Sequence, residues 1–430
     1  MDLKTLDREC RRRLVEQQIT LTSPGTILSD FQTLLDWIQA ERPRTKSKLG
    51  NLPASAPPHI NSQLARPIDL ALERPLLRDY PNIAGLYALL RVTGFIGQKG
   101  QCLEINADVS RYWTDLNPTE RYFGLLEAWL IHASDEVFGA GRRNDCTEQL
   151  SNNLRFLAGL SSSSWTTFEE DYHTYWSGLS TWNTHLQMAF GLIDVQARPQ
   201  AGRQTSTRGW LMEKAKRTEW GEAVAWAILE SLKVRDPLWF ELPPDADYGF
   251  LQPAFRRYFP EWQKTLPSTR PGSRQGLHIF KVSLDPRSWR YSECWRRLAV
   301  PHDTSLDELA MAVLDAFDFD DSDHLYEFRF RDSIGKTRIF HHWYTQETPS
   351  TEALIGDIGL PEKATLQFRF DFGDEWEFLL RLERVEPNKK RSRRIEILES
   401  HGVAPEQYPG SDDWGDDDFD GLDFDDLKGS

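Results

Sequence analysis

Residues 365–385 read TLQFRFDFGDEWEFLLRLERV, and this stretch decides the fold of the C-terminal third of the chain. Apolar and polar residues alternate over 365–372 and again over 376–385, a pattern typical of half-buried strands. The Gly373-Asp374 pair lies between the two runs, and glycine next to aspartate is typical of a tight turn. The stretch therefore predicts an antiparallel hairpin.

The side chains of this turn have two interpretations. The triplet Asp371-Phe372-Gly373 also occurs in the magnesium-binding site of kinases, but the chain has no Gly-rich loop, strand lysine or catalytic-loop motif to accompany it. A structural role is favoured, in which Gly373 adopts positive φ while Asp371 and Asp374 accept hydrogen bonds from nearby backbone amides. Trp376 is then expected to pack into the core.

The segments before the hairpin predict the rest of one domain. Thr304 is expected to cap a helix whose apolar residues, between 306 and 317, recur at helical spacing. Two strands precede this helix and further strands follow it. This order predicts an α+β sandwich with a mixed sheet and one main helix. The predicted strands outside the hairpin are 278–284, one within 289–300, 325–331 and 337–343.

Several residues of this predicted domain match those of a known family. They are Trp289, Trp295-Arg296-Arg297, 304–309, Phe317, 324–328 and 370–376. Through them the chain resembles the plasmid pRiA4b ORF-3-like family over about residues 277–387. The resemblance implies a fold and a passenger of bacterial plasmids or insertion elements, and it implies no activity. A weaker similarity to longer members is present at 251–262, in the N-terminal helical region, and at 404–409.

The chain departs from the family at one position that bears on chemistry. The family has a histidine two residues after the tryptophan of the turn, where this chain has Phe378. His324, Asp374 and such a histidine could form a metal or acid–base site in relatives. A stable zinc site needs three or four protein ligands, so the sequence predicts no metal and no cofactor here.

The remaining chain predicts a mainly helical N-terminal region in two parts. Residues 1–115 include a helix over 82–93 and a hairpin ending near Ile105, an order similar to the second half of a winged helix. Residues 116–266 are rich in tryptophan at helical spacing, which indicates core packing. A Pro- and Gly-containing linker then leads to the domain at 277–387.

Composition limits the classes of protein. The 430 residues contain no apolar run long enough for a membrane span, and the four cysteines are far apart in sequence. We therefore expect a cytoplasmic protein with reduced thiols and no membrane partner. Nine aspartates and one lysine in 411–430 carry a net −8 of the formal −15. The rest of the chain is only mildly acidic, which disfavours a broad nucleic-acid surface.

Three functions fit this sequence, and each has its own candidate residues. The leading hypothesis is a non-catalytic interaction or adaptor protein linked to a bacterial mobile element. Its acidic tail, 411–430, is expected to be disordered and either to bind a protein partner through Trp414, Phe419 and Phe424 or to mask the protein's own basic face.

The second hypothesis is DNA or RNA binding through the winged-helix-like region and basic clusters, where phosphates would contact cations. The basic segment 389–394 could equally begin a solvated helix. The third is a nucleic-acid-processing enzyme centred on His324 and Asp374, with Arg296 beside them. Whether the chain is an enzyme stays open, with a binding role favoured. The candidate cations are Lys46, Lys48, Arg91, Lys389, Lys390, Arg391, Arg393 and Arg394.

Overall fold

Contacts between residues divide the chain into two compact units, with the boundary between Arg270 and Pro271. The computed structural model describes residues 3–45, 51–70, 72, 75–99, 101–138, 146–168, 179–198, 210–233, 246–268, 274–285, 294–320, 324–332, 337–345, 349–360, 363–387 and 394–407. The predicted tail and most of the predicted cations therefore lie outside the described residues.

The N-terminal unit is built mainly from helices around one hydrophobic core. Described residues from both sides of the predicted boundary at 115/116 belong to this core, and the four-part division of the chain stays a prediction. Most described tryptophans of the predicted Trp-rich region are buried, as their spacing indicates. Its α-helices are α1 (Leu3–Glu16), α2 (Ile27–Glu41), α3 (Ala56–Asn61), α4 (Pro81–Val92), α5 (Ala107–Thr114), α6 (Pro118–Glu127), α7 (Cys146–Gly159), α8 (Thr181–Ala189), α9 (Glu219–Leu232) and α10 (Gln252–Phe255).

The predicted helix followed by a hairpin is present. Helix α4 is followed by β1 (Ile96–Lys99) and β2 (Cys102–Ile105), which pair antiparallel. Ten of the twelve residues of α4 are buried, and the helix packs closely on α8 where Gly85 meets Leu186. A recognition helix must offer side chains to a groove, and α4 has almost no exposed surface for that purpose.

A small antiparallel sheet completes the N-terminal unit. Strand β5 (Met212–Arg217) lies between β3 (Thr166–Thr167) and β4 (Ile193–Ala197). Helix α9 begins directly after this sheet, with Thr218 accepting a hydrogen bond from the amide of Gly221. A Cβ at Gly221 would lie 2.0 Å from the carbonyl oxygen of Leu192, so the helix can approach the sheet this closely only with glycine there.

The C-terminal unit is a single sheet with one main helix against it. Its described strands are β6 (Leu277–Leu284), β7 (Trp295–Pro301), β8 (Tyr326–Arg331), β9 (Thr337–His341), β10 (Thr365–Phe370), β11 (Trp376–Glu386) and β12 (Glu396–His401). They lie in the order β12-β7-β6-β11-β10-β8-β9, and every pairing between them is antiparallel. The α+β prediction is therefore confirmed, but the sheet is not mixed among the described strands.

Helix α11 (Leu306–Ala316) forms the second layer of this unit. Its N-cap is Ser305, whose hydroxyl accepts from the amide of Glu308, while the Glu308 carboxylate accepts from the Ser305 amide. This reciprocal capping box replaces the predicted cap at Thr304, one residue earlier. Apolar side chains of α11 pack on the inner face of the sheet and form a second core that shares no residue with the first.

The turn between β10 and β11 differs from prediction in its backbone. Positive φ occurs at Asp371 and Glu375, both at 55°, while Gly373 is not among the positive-φ residues. The carboxylate of Asp371 accepts a 2.9 Å hydrogen bond from the Gly373 amide, which stabilises the left-handed conformation of the aspartate. Trp376 is buried in the core against Phe319, as predicted.

Two further findings bear on the compositional predictions. No helix within the described residues is long and apolar enough to cross a membrane. Of the cysteines whose side chains the structure describes, Cys10, Cys102 and Cys294 are all free thiols. Burial raises the pKa of Cys10 to about 12, so this thiol is protonated at neutral pH and serves as a small apolar core residue.

Candidate binding site at one end of the sheet

The start of β8 and the ends of β9 and β10 meet at one end of the C-terminal sheet. The amide of His342 donates to the carbonyl of Tyr326 at 3.0 Å, and the amide of Asp371 donates to the carbonyl of Leu325 at 3.0 Å. The segments that follow β9 and β10 therefore flank the first residues of β8. The sequence placed all three segments in predicted strands, and their convergence follows from the strand order.

Four large apolar side chains are exposed at this end, and we call them the aromatic end. Exposed aromatic residues that lie together on a surface mark interaction sites more often than scattered ones do. The rings of Trp343 and Tyr344 meet edge to face, with centroids 5.8 Å apart. The exposed fractions are 38% for Leu325, 59% for Trp343, 74% for Tyr344 and 41% for Phe372.

A rigid polar contact lies directly beneath the aromatic end. The hydroxyl of Tyr326 contacts the Asp307 carboxylate of α11 and lies 2.9 Å from the Ser350 hydroxyl. Burial, together with the Asp307 contact, raises the pKa of this phenol, so it stays protonated. The Tyr326 ring also meets His342 edge to face at 4.8 Å. These contacts fix the backbone from which Trp343 and Tyr344 project.

His324 lies beside the aromatic end and pairs with Asp371. Its Nδ1 is 3.5 Å from a carboxylate oxygen of Asp371, and its ring meets Phe370 edge to face. Asp374, the partner considered from sequence, is exposed three residues further along the same turn. The histidine and the turn are thus brought together, with the buried Asp371 as the residue that contacts the ring.

Arg296 is held away from this pair by its own contacts. It is buried on β7, where its guanidinium donates to the carbonyls of Ala316, Trp295 and His401 and lies over the ring of Phe317. A buried guanidinium whose Nε and Nη1 donate to several carbonyls has a structural role. These contacts count against a centre that combines His324, Asp374 and Arg296.

The position of the missing family histidine is also structural in this chain. Phe378 is buried on β11 and packs against Phe317, Phe319 and Phe368. Its side chain points into the core rather than to the surface. Among the described residues, no group of three or more His, Cys, Asp or Glu side chains could hold a metal ion.

The predicted nucleic-acid residues fall in different places. Arg91 is half-buried on α4, where it bonds to Tyr87. Arg394 is exposed just before β12, so the segment after the basic cluster continues as a strand instead of the helix considered from sequence. Lys46, Lys48, Lys389, Lys390, Arg391 and Arg393 lie outside the described residues.

Comparison with known proteins agrees with this architecture. Residues 277–415 match the family model described as plasmid pRiA4b ORF-3-like protein. The predicted ORF-3-like resemblance is therefore confirmed for the C-terminal part, while the weaker similarity within the N-terminal region stays a prediction. No curated protein matches the chain.

One solved structure of similar sequence is a protein of unknown function from Methanosarcina mazei Go1. The two chains are 22% identical over a match that covers 30% of this chain and 72% of the other, with a TM-score of 0.27. This comparison adds no functional assignment to the ORF-3-like part.

The aromatic end was missed in the sequence, although a signal for it exists. His341, His342, Trp343 and Tyr344 are consecutive at the end of a predicted strand. Successive side chains of a strand point to opposite faces, so one of two adjacent aromatic residues must leave the core. That alternation could have indicated an exposed ring at 343 or 344.

Proposed function

We propose that this protein is a non-catalytic interaction protein whose C-terminal unit binds a protein segment at the aromatic end. The observation that carries the proposal is the exposure of Leu325, Trp343, Tyr344 and Phe372 at one end of the sheet. Tryptophan and tyrosine dominate the binding energy of protein interfaces because they bury a large area with few rotatable bonds.

The charges beside the aromatic end favour a basic partner. Asp371, Asp374 and Glu375 give the turn three negative charges. Arg369, which pairs with Glu375, is the positive charge beside them. Arg369 also lies over the Phe372 ring, 5.1 Å from its centroid, so one ring of the aromatic end already binds a cation. We therefore expect a partner segment with apolar residues interspersed with lysine or arginine.

The acidic tail is assigned to a different contact. Its nine aspartates would be repelled by the acidic turn, so the tail is a poor occupant of the aromatic end. Its apolar residues Trp414, Phe419 and Phe424 remain candidates for binding a partner with a basic groove. If deletion of 411–430 changes binding neither to nucleic acid nor to proteins, this role of the tail is wrong.

The link with a mobile element rests on the family alone. The description of the matching family model refers to a plasmid, and it refers to residues 277–415 only. An adaptor encoded with a mobile element would need no catalytic centre of its own, since it would act by holding another protein. This part of the proposal predicts that the gene lies beside mobile-element genes.

A second candidate function, nucleic-acid binding, is favoured by the outer face of the sheet. The strand register places Lys281 of β6 beside Arg297 of β7 and beside Arg381 of β11. The Lys281 ammonium and the Arg297 guanidinium both lie over the Trp295 ring. Cations beside an aromatic ring suit single-stranded nucleic acid. However, Arg297 already contacts Glu383 and Glu399, which lowers its value for phosphate binding.

A peptide selection tests the leading proposal. Random peptides are selected on the immobilised full chain, and the enriched sequences are then measured against a Trp343→Ser variant. We expect a consensus of basic and apolar residues, and about 30-fold weaker binding by the variant, which corresponds to a hot-spot loss of about 2 kcal/mol. The matched control is Ile397→Ser, which removes an exposed apolar residue on β12 at the opposite edge of the sheet.

The outcomes separate the two candidate functions. If no peptide is enriched, or if both variants bind the enriched peptides equally, the aromatic end is not the binding surface. Filter binding of a labelled single-stranded oligonucleotide over a salt series tests the second function, because phosphate contacts give a steep decrease of affinity with salt. Loss of that binding in Lys281→Gln, with Trp343→Ser unaffected, would favour the outer face of the sheet.

A further inference from the structure

Three buried nitrogen atoms in the C-terminal unit have no hydrogen-bond partner. These three, Nη1 of Arg274, Nδ1 of His278 and Nδ1 of His302, belong to neighbouring segments, and they are a subset of the atoms of this kind in the unit. Buried donors of this kind are nearly always paired in folded proteins, since losing water without gaining a partner costs stability. Three of them in one neighbourhood indicate a ligand with acceptor atoms.

The fold brings the three side chains to one end of β6 and β7. The amide of His302 donates to the carbonyl of Gly276, two residues before His278. The amide of Gly356 donates to the carbonyl of His302, and the amide of Arg274 donates to the carbonyl of Gly356. Arg274 and His302 thus flank Gly356 on two sides.

Glycine at 356 makes this approach possible. A Cβ there would lie 2.9 Å from the Cβ of His302 and 3.0 Å from the carbonyl oxygen of Arg274. Any larger residue would push these two segments apart. The close packing at Gly356 therefore holds the segments of Arg274 and His302 against each other.

The guanidinium of Arg274 makes the surroundings of His278 electropositive. Burial, this guanidinium and the nearby His302 together lower the pKa of His278 to about 4, and a contact with the Gly276 backbone opposes them. Within the described residues, no carboxylate is among the groups that act on this imidazole. A neutral imidazole can still donate a hydrogen bond when its proton is on Nδ1.

We propose that Arg274, His278 and His302 bind a small oxyanion of the phosphate type. The guanidinium supplies a permanent charge and a planar set of donors that fits phosphate oxygens, and the two imidazoles supply further donors. A metal ion is disfavoured because the charge of Arg274 would repel it. Since the three atoms are buried, the ligand must be a free ion or a terminal phosphate group, and an internal phosphate of a nucleic acid cannot reach them.

Phosphate titration of the full chain tests this site. Inorganic phosphate and adenosine monophosphate are added separately at constant ionic strength, with chloride as the reference, while thermal unfolding and the imidazole resonances are followed. We expect a saturable increase of the unfolding temperature and shifts of the His278 and His302 resonances. If phosphate binds and adenosine monophosphate does not, the ligand is the free ion. If adenosine monophosphate binds more tightly than phosphate, the ligand is a phosphomonoester.

Variants tie the effect to the cluster. Arg274→Gln is expected to weaken phosphate binding by at least about tenfold, because a charge-assisted hydrogen bond is lost. Arg384→Gln, at an exposed position on β11, is the matched control and should bind like the parent. If Arg274→Gln does not fold, the resonance shifts in the parent chain decide. No saturable shift in the parent, or equal binding by both variants, would overturn the assignment.

Discussion

The buried histidine of α8 predicts a defined loss of stability in mild acid. His185 lies in the core of the N-terminal unit, with its ring 4.0 Å from that of Trp210 and its Nδ1 3.4 Å from the carbonyl of Thr181. Burial lowers the pKa of His185 from its usual value near 6.5 to about 3, opposed weakly by the Thr181 carbonyl. The imidazole is therefore neutral in the folded state over a range in which the unfolded chain is protonated.

The direction and size of the effect follow from this difference. Below about pH 6.5 the unfolded state binds a proton at His185 that the folded state excludes, so stability falls as the pH falls, until about pH 3. Each pH unit within that range costs about 1.4 kcal/mol. Between about pH 7 and about pH 4.5, this histidine alone should lower the free energy of unfolding by about 2.5 kcal/mol.

The measurement compares the parent chain with His185→Gln by urea unfolding at both pH values, followed by tryptophan fluorescence. The substitution costs some stability at neutral pH because the contact with Trp210 is lost. The informative quantity is the difference in the free energy of unfolding between parent and variant, and how this difference changes between the two pH values. Other titrating groups, such as His278, contribute equally to both proteins and cancel. We expect the parent to lose about 2.5 kcal/mol more than the variant.

His59→Gln is the matched control, since it makes the same substitution at an exposed position. It should keep the pH dependence of the parent. If His185→Gln also keeps that dependence, then His185 is either accessible to protons or already charged in the folded state, and the assignment of a neutral buried imidazole is wrong.

Three further substitutions test particular contacts by chemical denaturation. Gly221→Ala should destabilise the N-terminal unit by about 3 kcal/mol, because its Cβ would collide with the Leu192 carbonyl. The control Gly159→Ala, with open space at its Cβ, should be neutral or slightly stabilising. Equal effects of the two substitutions would contradict the described packing of Gly221. Ser305→Ala should cost about 1 kcal/mol through loss of the α11 capping box, and no change would mean that the cap is unimportant. Phe378→His should cost about 3 kcal/mol by placing a polar ring among core phenylalanines, and unchanged stability would show that this position is not a core position.

Local patterns were sufficient to predict most elements of the C-terminal unit, but not its last strand. The apolar spacing of α11 and the alternation of β10 and β11 specify their type, because each element must bury one face against the same core. The edge strand β12 has no such pattern. Every residue from Glu396 to His401 is exposed, so hydrogen bonding to β7 determines this strand and burial leaves no alternation to recognise.

The candidate sites were harder to predict because they depend on strand order. Leu325, Trp343 and Phe372 are separated in sequence and lie at the same end of the sheet only because β8 lies between β9 and β10. The pairing of His324 with Asp371, instead of Asp374, depends on a left-handed aspartate in a turn where glycine seemed the natural choice. His278 was placed correctly in a strand, yet its neighbour His302 follows β7 and reaches it only because β6 and β7 pair.

The two hydrophobic cores share no residue, and this separation affects how the chain can change through evolution. A substitution that loosens the helical core leaves every apolar contact of the sheet core intact. The coding segment for the C-terminal unit could therefore be joined to a different N-terminal partner without redesign of its interior. The family match is confined to residues 277–415, the segment that such recombination would carry. We expect this C-terminal unit to occur in other proteins beside unrelated domains.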